Sequence, residues 1–459
     1  MSAPAPSPSP VPAPSAVLGS PHALPPAGSA ALRAGVVGNF IDNVHVFLPV
    51  TALTPAMLVL AGPGATASAA SLIIVAMLFG RPVGGVVFGR ISDRLGRTRT
   101  TRVAIGGTAA CALAIAVIPT HDLLGAGTVA LVLALRFLGG IFVAGEYSAA
   151  IPLAMEWSPA RRRGLMSGLI LSMAPWAQAS VAFAVAVLLA ALGPEQYAAW
   201  GWRALFVLGA LLSLGMLVYY RRHVVDAPMP PRPEPVPAAE GARSAPTLRG
   251  LLTGSWAPAF WQVFVLMTGL WLLTDSTVLL LTERLSQDSS LDPTAVPVVM
   301  GLASIAQALA MAAAGHLSTF TGRRRLLMIW GAAAAVAGPV LWWAAVSAST
   351  LAVAAACAAL LQVATVSAYG PIAAYLSERF PTSLRSTGYG AGYSLSLVLP
   401  ALYPFYVPAL VPLLGRHGSV LVMVVLGGVL VVVGAALGPR LSPRELDADL
   451  DTVADGGTR

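Results

Sequence analysis

Lysine is missing from this chain of 459 residues: all 27 basic residues are arginine. We read that as GC-rich coding rather than chemistry. Charge of any kind is scarce, at 10% of residues, where a soluble domain carries about 25%. With 57% hydrophobic residues and a mean hydropathy of +0.78, the composition excludes an ordinary soluble protein. Cysteine is nearly absent. Cys111 and Cys357 both fall in apolar stretches, so they offer neither a disulfide framework nor a metal site and read as buried, inert thiols. The glycines from Gly84 to Gly89 follow no strand, which excludes a nucleotide loop there. No metal, no cofactor and no ATP is expected. The net charge of +8 is no nucleic-acid signal, because the arginines lie in short clusters between apolar runs.

Those apolar runs are what the chain does have. A helical membrane crossing needs about 20 apolar residues. Twelve runs qualify: 32–60, 68–91, 102–120, 126–155, 165–192, 202–221, 256–283, 294–318, 325–348, 350–378, 385–412 and 417–439. The expected fold class is an all-α polytopic membrane protein, with the lipid bilayer as solvent. Arginine sets the orientation. Arg94, Arg97, Arg99 and Arg102 lie between spans two and three, Arg161 to Arg163 between four and five, and Arg323 to Arg325 between eight and nine. Arg221 and Arg222 follow span six; Arg440 and Arg444 follow the last. The alternate loops are poor in arginine, Arg284 and Arg416 excepted. Both termini are therefore expected in the cytoplasm, with the chain in the cell (inner) membrane.

Residues 1–29, built from Ala, Pro, Ser and Gly, hold no signal-type run and read as a disordered cytoplasmic tail. Residues 223–252, rich in proline and polar residues, split the spans six and six. The expected units are bundles at 30–222 and 253–440, a cytoplasmic linker at 223–252 and a C-terminal tail at 441–459. An internal repeat supports two halves. Glu156-x-x-Pro159 with Arg163 recurs as Glu378-x-x-Pro381 with Arg385, and Gly89 before Arg97 recurs as Gly315 before Arg323. The offsets are 222 and 226 residues. Thr319 stands in the second copy where the first has Asp93.

After the glycine-studded second span, the chain reads Gly89-x-x-x-Asp93-Arg94-x-Gly96-Arg97. This resembles the loop signature between the second and third helices of the major facilitator superfamily. The resemblance implies twelve helices in two pseudo-symmetric six-helix bundles, with substrate bound near the midplane between them. Three further stretches resemble the superfamily's metabolite:proton symporters: Arg136-Phe-Leu-Gly139-Gly140 through Glu146 to Arg162-Arg163-Gly164; Trp200-Gly201-Trp202-Arg203-Ala204-Leu205-Phe206; and Glu378-Arg379-Phe380-Pro381-Thr382 through Arg385-x-Thr387-Gly388. Such proteins move small carboxylates and zwitterions with protons. The first helix departs from them. Where the family commonly has Gly-Asn-x-x-Glu-x-x-Asp, this chain has Gly38-Asn39-Phe40-Ile41-Asp42-Asn43-Val44-His45.

Asp42 and His45, spaced i,i+3, share a helix face. Asp42 lies roughly 13 Å into its span at 1.5 Å per residue, and Arg136 lies about as deep from the other surface. Buried charge must face a partner or a cavity. In the resembled fold the first and fourth helices line one cavity. Arg136 would then bind a substrate carboxylate, and Asp42 with His45 would carry a proton. The bland alternative is a static Asp42–Arg136 pair. Asp275 towards the end of span seven reads as a vestibule or gate acid, or as a wetted helix-end acid. Gln178, Gln307 and Tyr369 are polar groups in apolar spans that line the cavity or bond across helices. Glu146 and Arg81 lie at similar depth and read as a structural ion pair. Asp93 reads as a gate that caps a facing helix N-terminus, which the resemblance places near Ser386. Glu156 with Arg163, and Glu378 with Arg385, read as latches.

The resulting expectation is a secondary transporter, not an enzyme, that takes up a small carboxylate or zwitterion with protons by alternating access and works as a monomer. Proton-antiport efflux of a drug-like or metabolic compound is the alternative; it suits a cavity with fewer fixed charges. A membrane enzyme would need a catalytic cluster at one membrane face, and a sensor would need a signalling domain. Neither is evident in the sequence.

Overall fold

Where hydrocarbon leaves no water to satisfy the backbone, an apolar run must close its own hydrogen bonds, and helix is the local solution. The computed structural model describes residues 24–62, 66–227, 248–288, 295–442 and 444–456, and among these it is helical without strands. In chain order the first half holds α1 (Pro26–Ala52), α2 (Thr66–Leu95), α3 (Arg97–Ala116), α4 (Gly127–Trp157), α5 (Arg163–Gln196) and α6 (Trp202–His223). The second half holds α7 (Ala257–Thr274), α8 (Val296–Thr321), α9 (Arg323–Val346), α10 (Leu351–Thr365), α11 (Arg385–Leu395) and α12 (Tyr403–Ala436). Residues 228–247 of the expected linker lie outside the described residues. So do 1–23 of the expected tail, whose last residues, from Pro26, belong to α1.

Eight continuous helical runs among the described residues are long and apolar enough to cross a membrane. Two of them fold back. Ala160–His223 bends at Gly193 (φ 76°) and contains both α5 and α6. Tyr403–Ala436 bends at Gly415 (φ 74°) and contains the end of the eleventh crossing and the whole of the twelfth. α2 and α3 are less apolar because of Arg81, Arg90, Asp93, Arg97, Arg99 and Arg102. With them the described residues make twelve crossings in two six-helix bundles. The bends obey the repeat. Gly96 (φ 96°) and Gly322 (φ 81°) turn α2 into α3 and α8 into α9 at the 226-residue offset, and Gly193 and Gly415 keep the 222-residue one. Each positive φ is a conformation that an L side chain resists.

Glycine also sets how closely helices pack. A Cβ on Gly84 of α2 would meet the Ile141 carbonyl of α4, and one on Gly140 of α4 would meet the Met77 carbonyl of α2. Such contacts stabilise packing where lipid offers no hydrophobic drive. One apolar cluster runs through both halves, from Ile151 and Leu171 to Leu266, Met300 and Met311. Two more belong to the first half, around Trp202 and Phe206 and around Met216 and Tyr220. Outside, Val336, Val340, Leu211 and Leu309 are exposed on the bundle surface, an apolar belt suited to lipid.

Candidate functional site

A cavity of about 110 Å³ lies between the halves. That is room for several waters or one small metabolite. The first half contributes Asn43, Met77, Arg81, Arg136, Tyr147 and Gln178; the second contributes Trp271, Asp275, Gln307, Tyr369 and Tyr393. Two helix irregularities place the second set. α10 ends in a 3₁₀ turn, Val366–Tyr369, before the chain resumes as Ile372–Arg379, and Tyr369 sits at that break. α7 passes into a π-turn, Asp275–Leu280, of the kind that clusters at functional positions. Asp275 is only 3% exposed, which does not fit a wetted helix-end acid; it lies in the π-turn and lines the cavity wall.

Arg81 occupies an aromatic cage. Its guanidinium lies 5.2 Å from the Tyr147 ring centroid, 5.1 Å from Trp271 and 5.7 Å from Tyr393. Cation–π attraction of this kind is worth about 2 kcal/mol when desolvated. Arg81 is also the cation whose field both Asp42 and Asp275 feel. Arg136 donates to the His45 carbonyl at 3.0 Å and to Met77 Sδ at 2.7 Å. Neither guanidinium forms an ion pair with a described residue. The Nε atoms of both, Asp275 Oδ2 and Gln307 Oε1 are buried without a hydrogen bond. A cavity so lined has two cations and one acid with bonding capacity to spare.

The alternative, a static Asp42–Arg136 pair, does not form. α1 crosses α4 so that Asp42 meets Glu146, ten residues or about 15 Å along α4 from Arg136. The carboxyls of Asp42 and Glu146 are close neighbours; Asp42 Oδ1 is buried without a hydrogen bond, and Thr108 of α3 donates to Glu146 at 3.0 Å. Two buried carboxyls side by side are costly to ionise together, so the pair favours holding a proton. The Glu146–Arg81 ion pair is likewise absent, since the cage holds Arg81. His45 turns away from the cavity to Ser213 of α6, with Nε2 and Oγ 2.7 Å apart. Gln178, Gln307 and Tyr369 do line the cavity. Gln362 instead donates to the Thr277 carbonyl at 3.5 Å.

At the arginine-rich end the halves are tied together. Asp93 accepts from the backbone N–H of Ser386 at 3.0 Å and of Thr387 at 2.8 Å, and from the Thr387 hydroxyl at 2.7 Å, so it caps α11. Arg94 sits beside it on the exposed side. The latches exchange partners across the halves. Glu156 meets Arg385 at 2.8 Å and Arg97 at 2.7 Å, while Glu378 meets Arg323 at 3.0 Å and Arg163 at 3.8 Å. Neither Glu156–Arg163 nor Glu378–Arg385 forms, because the halves meet reciprocally, as about a two-fold axis, so that each glutamate faces the other half's arginine. The C-terminal segment is no loose tail. A short helix, Leu450–Gly456, docks over the seam with Asp451 on Arg385 at 2.7 Å, and the Ala448 carbonyl accepts from Arg163 at 3.4 Å.

Reading the sequence missed Asn43, Tyr147, Trp271, Tyr393 and Asp451. Tyr147 directly follows Glu146, and Tyr389 and Tyr393 stand one helical turn apart in a glycine-rich stretch, which is a visible signal. Nothing in the sequence marks the π-turn.

Comparison with known proteins supports the same architecture. The profile of the Major Facilitator Superfamily matches residues 43–285 and again 272–450. The chain is 27% identical to the glycine betaine/proline/ectoine/pipecolic acid transporter OusA of Dickeya dadantii (strain 3937), over 82% of this chain and 76% of that one. A Staphylococcus haemolyticus (strain JCSC1435) protein named for proline/betaine transport is 39% identical over 162 residues, which covers 35% of this chain and only about a third of that one, 34%. Among solved structures, the proton:xylose symporter XylE bound to 6-bromo-6-deoxy-D-glucose superposes with a TM-score of 0.70 at 15% identity, over 89% of this chain and 94% of that one; this likeness concerns the fold.

Proposed function

Given that the chain belongs to the major facilitator superfamily, a family of multi-pass membrane transporters, we propose that it takes up a small zwitterion or carboxylate together with protons by alternating access. The observation that carries the reading is the charge of the cavity: Arg81 and Arg136 without ion-pair partners, facing Asp275 across an otherwise largely apolar space. Buried unpaired charge is costly in a membrane protein and marks a substrate path. Arg136 takes the substrate carboxylate, and Asp275 with the faces of Trp271 and Tyr369 takes a cationic end. Proline and betaines have this chemistry, and relatives are named for them. Three fixed charges also weigh against efflux of a neutral drug-like compound.

The proton resides on the Asp42–Glu146 pair rather than on Asp42 with His45. The arginine-rich end faces the cytoplasm of the cell membrane, and with it both termini; a single chain is the functional unit. Closing contacts at that end would make this the outward-facing arrangement.

The test is uptake of radiolabelled proline, glycine betaine and a dicarboxylate into proteoliposomes, with and without a pH gradient. Arg136→Lys keeps the charge but loses the planar fork, so apparent affinity should fall about tenfold, or 1.4 kcal/mol. Asp42→Asn should abolish accumulation and spare exchange, since exchange moves no net proton. If instead uncharged compounds are expelled and no carboxylate is taken up, the reading fails.

A further inference from the structure

The carboxyl pair lies just behind the cavity wall. Neither Asp42 nor Glu146 lines the cavity, whereas the residues that follow them, Asn43 and Tyr147, both do. Successive side chains on a helix point about 100° apart, so on each helix the acid looks into the first bundle and its successor looks into the cavity. Asn43 Nδ2 donates to the Tyr147 hydroxyl at 2.7 Å and so closes the wall between α1 and α4. The same amide reaches the Asn39 carbonyl at 2.7 Å, which fixes it from behind.

Tyr147 is gripped from the other side. Its ring stacks on Tyr393 of α11 with centroids 5.2 Å apart, and Arg81 lies 5.2 Å from its centroid. One end of this side chain thus closes the proton compartment. The other is held by a group from the second half and by a cation of the substrate cavity.

We propose that the Asn43–Tyr147 hydrogen bond is the gate between the substrate cavity and the Asp42–Glu146 pair, opened when a substrate carboxylate held on Arg136 also draws Arg81 and the Tyr147 ring out of their stack. This rests on the proton role given above to that pair. When the bond parts, water from the cavity reaches the pair, and a proton passes from a hydronium ion to a carboxylate oxygen, leaving water behind. The groups facing the pair are Arg81 from α2, Thr108 from α3, Tyr147 from α4 itself and Tyr220 from α6; His45 on α1 is turned to Ser213. From the second half, Tyr393 of α11 stands behind Tyr147. Asn43 and Tyr147 are therefore positioning residues, which control access without holding the proton.

The experiment needs no substrate. In purified full-length protein, the infrared band of the protonated carboxyl is followed after transfer to heavy water. Tyr147→Phe keeps the ring, the stack and the cation–π contact and removes only the hydroxyl. Loss of one neutral hydrogen bond should speed deuterium exchange of the band about fivefold to tenfold. Asn43→Ala, which leaves the phenol in place, should do the same and covers the case in which Tyr147→Phe does not fold. Asp42→Asn should remove or shift the band, which checks the premise separately. A band unchanged in Asp42→Asn overturns the proton role. A band that responds to Asp42→Asn but exchanges at the wild-type rate in the gate variants overturns the gate alone.

Discussion

At the α2–α11 seam a carboxylate caps a helix; at the α5–α8 seam the duplicated position is a threonine. Both seams are built on glycine. Gly85 and Gly89 of α2 lie against Gly390 and Ser386 of α11, and Gly164 and Gly168 of α5 lie against Gly315 of α8. Asp93 then adds three hydrogen bonds to the first seam. Its counterpart Thr319 adds none, and its hydroxyl is buried without a partner. The same loss of charge runs through the second copy, where Gln307 stands at the offset of Arg81 and Ala368 at that of Glu146. Close packing is therefore common to both seams, while a helix-capping carboxylate holds only the first. A seam held by packing can slide; a seam held by a buried cap must break hydrogen bonds to part. The first seam is the one whose opening should be controlled.

The largest expected effect concerns the two glutamates. Glu156 bridges the halves through Arg385 at 2.8 Å, whereas the cross-half contact of Glu378, to Arg163, is 3.8 Å, and its close partner Arg323 is in its own half. Glu156→Gln removes the buried acid that Arg97 and Arg385 share across the halves, leaving them only the acids Asp93 at 3.8 Å and the half-exposed Asp451; that costs about 3 kcal/mol and shifts a closed–open balance roughly a hundredfold. The readout is thiol labelling of Ser158→Cys, in the arginine-rich pocket, with Cys111 and Cys357 replaced by alanine. Glu378→Gln should lower thermal stability by a similar amount yet open the pocket much less. Equal labelling in both variants would make the seams equivalent.

A smaller effect sharpens the same contrast. Asp93→Asn keeps the shape but loses the charge facing the α11 N-terminus, worth about 2 kcal/mol where partly buried. Labelling of Ser158→Cys should rise roughly thirtyfold. Thr319→Asp should do the reverse: it gives the second seam the acid it lacks, beside the α5 N-terminus and Arg323, and should slow turnover. If Thr319→Asp opens the pocket instead, the two seams differ in more than the acid.

The fold was legible because membrane physics leaves little choice. Twelve apolar runs, clustered arginines and the 222- and 226-residue offsets suffice for two six-helix bundles, and the Gly89–Arg97 signature points to the superfamily. Asp93 could be read as a helix cap from its place at a charged helix end, but its placement against Ser386 came from the resemblance to the superfamily. The interior was less legible. Depth along a helix placed Asp42 and Arg136 at the midplane, but helix rotation and crossing decide partners, and those gave Asp42 to Glu146 and His45 to Ser213. The latch residues were legible as types and not as pairs, because the exchange between halves is a tertiary fact. Asp275 needed a π-turn that no composition announces.

The smallest expected effect tests whether the C-terminal segment belongs to the capped seam. Asp451 accepts from Arg385 at 2.7 Å and from the Thr382 backbone and hydroxyl at 2.8 Å and 2.9 Å, so it sits on the residue that also holds Glu156. Its side chain is 37% exposed, and an ion pair so placed is worth about 1 kcal/mol at most. Leu450, Val453 and Ala454 are buried beneath it, so the segment docks mainly by packing. Asp449 steadies the short helix. The Thr452 hydroxyl and backbone N–H both donate to it and hold its carboxyl below the usual range. A carboxyl lowered on folding contributes fully above its free value, about 3.9, and loses that contribution only as pH falls through the folded one. Acidification within the physiological range should therefore leave the segment docked. Asp451→Asn should raise labelling of Ser158→Cys about threefold to fivefold at pH 7, and its effect should vanish in an Arg385→Gln background, where the contact is already lost. Labelling that rises equally in both backgrounds would place Asp451 outside the seam.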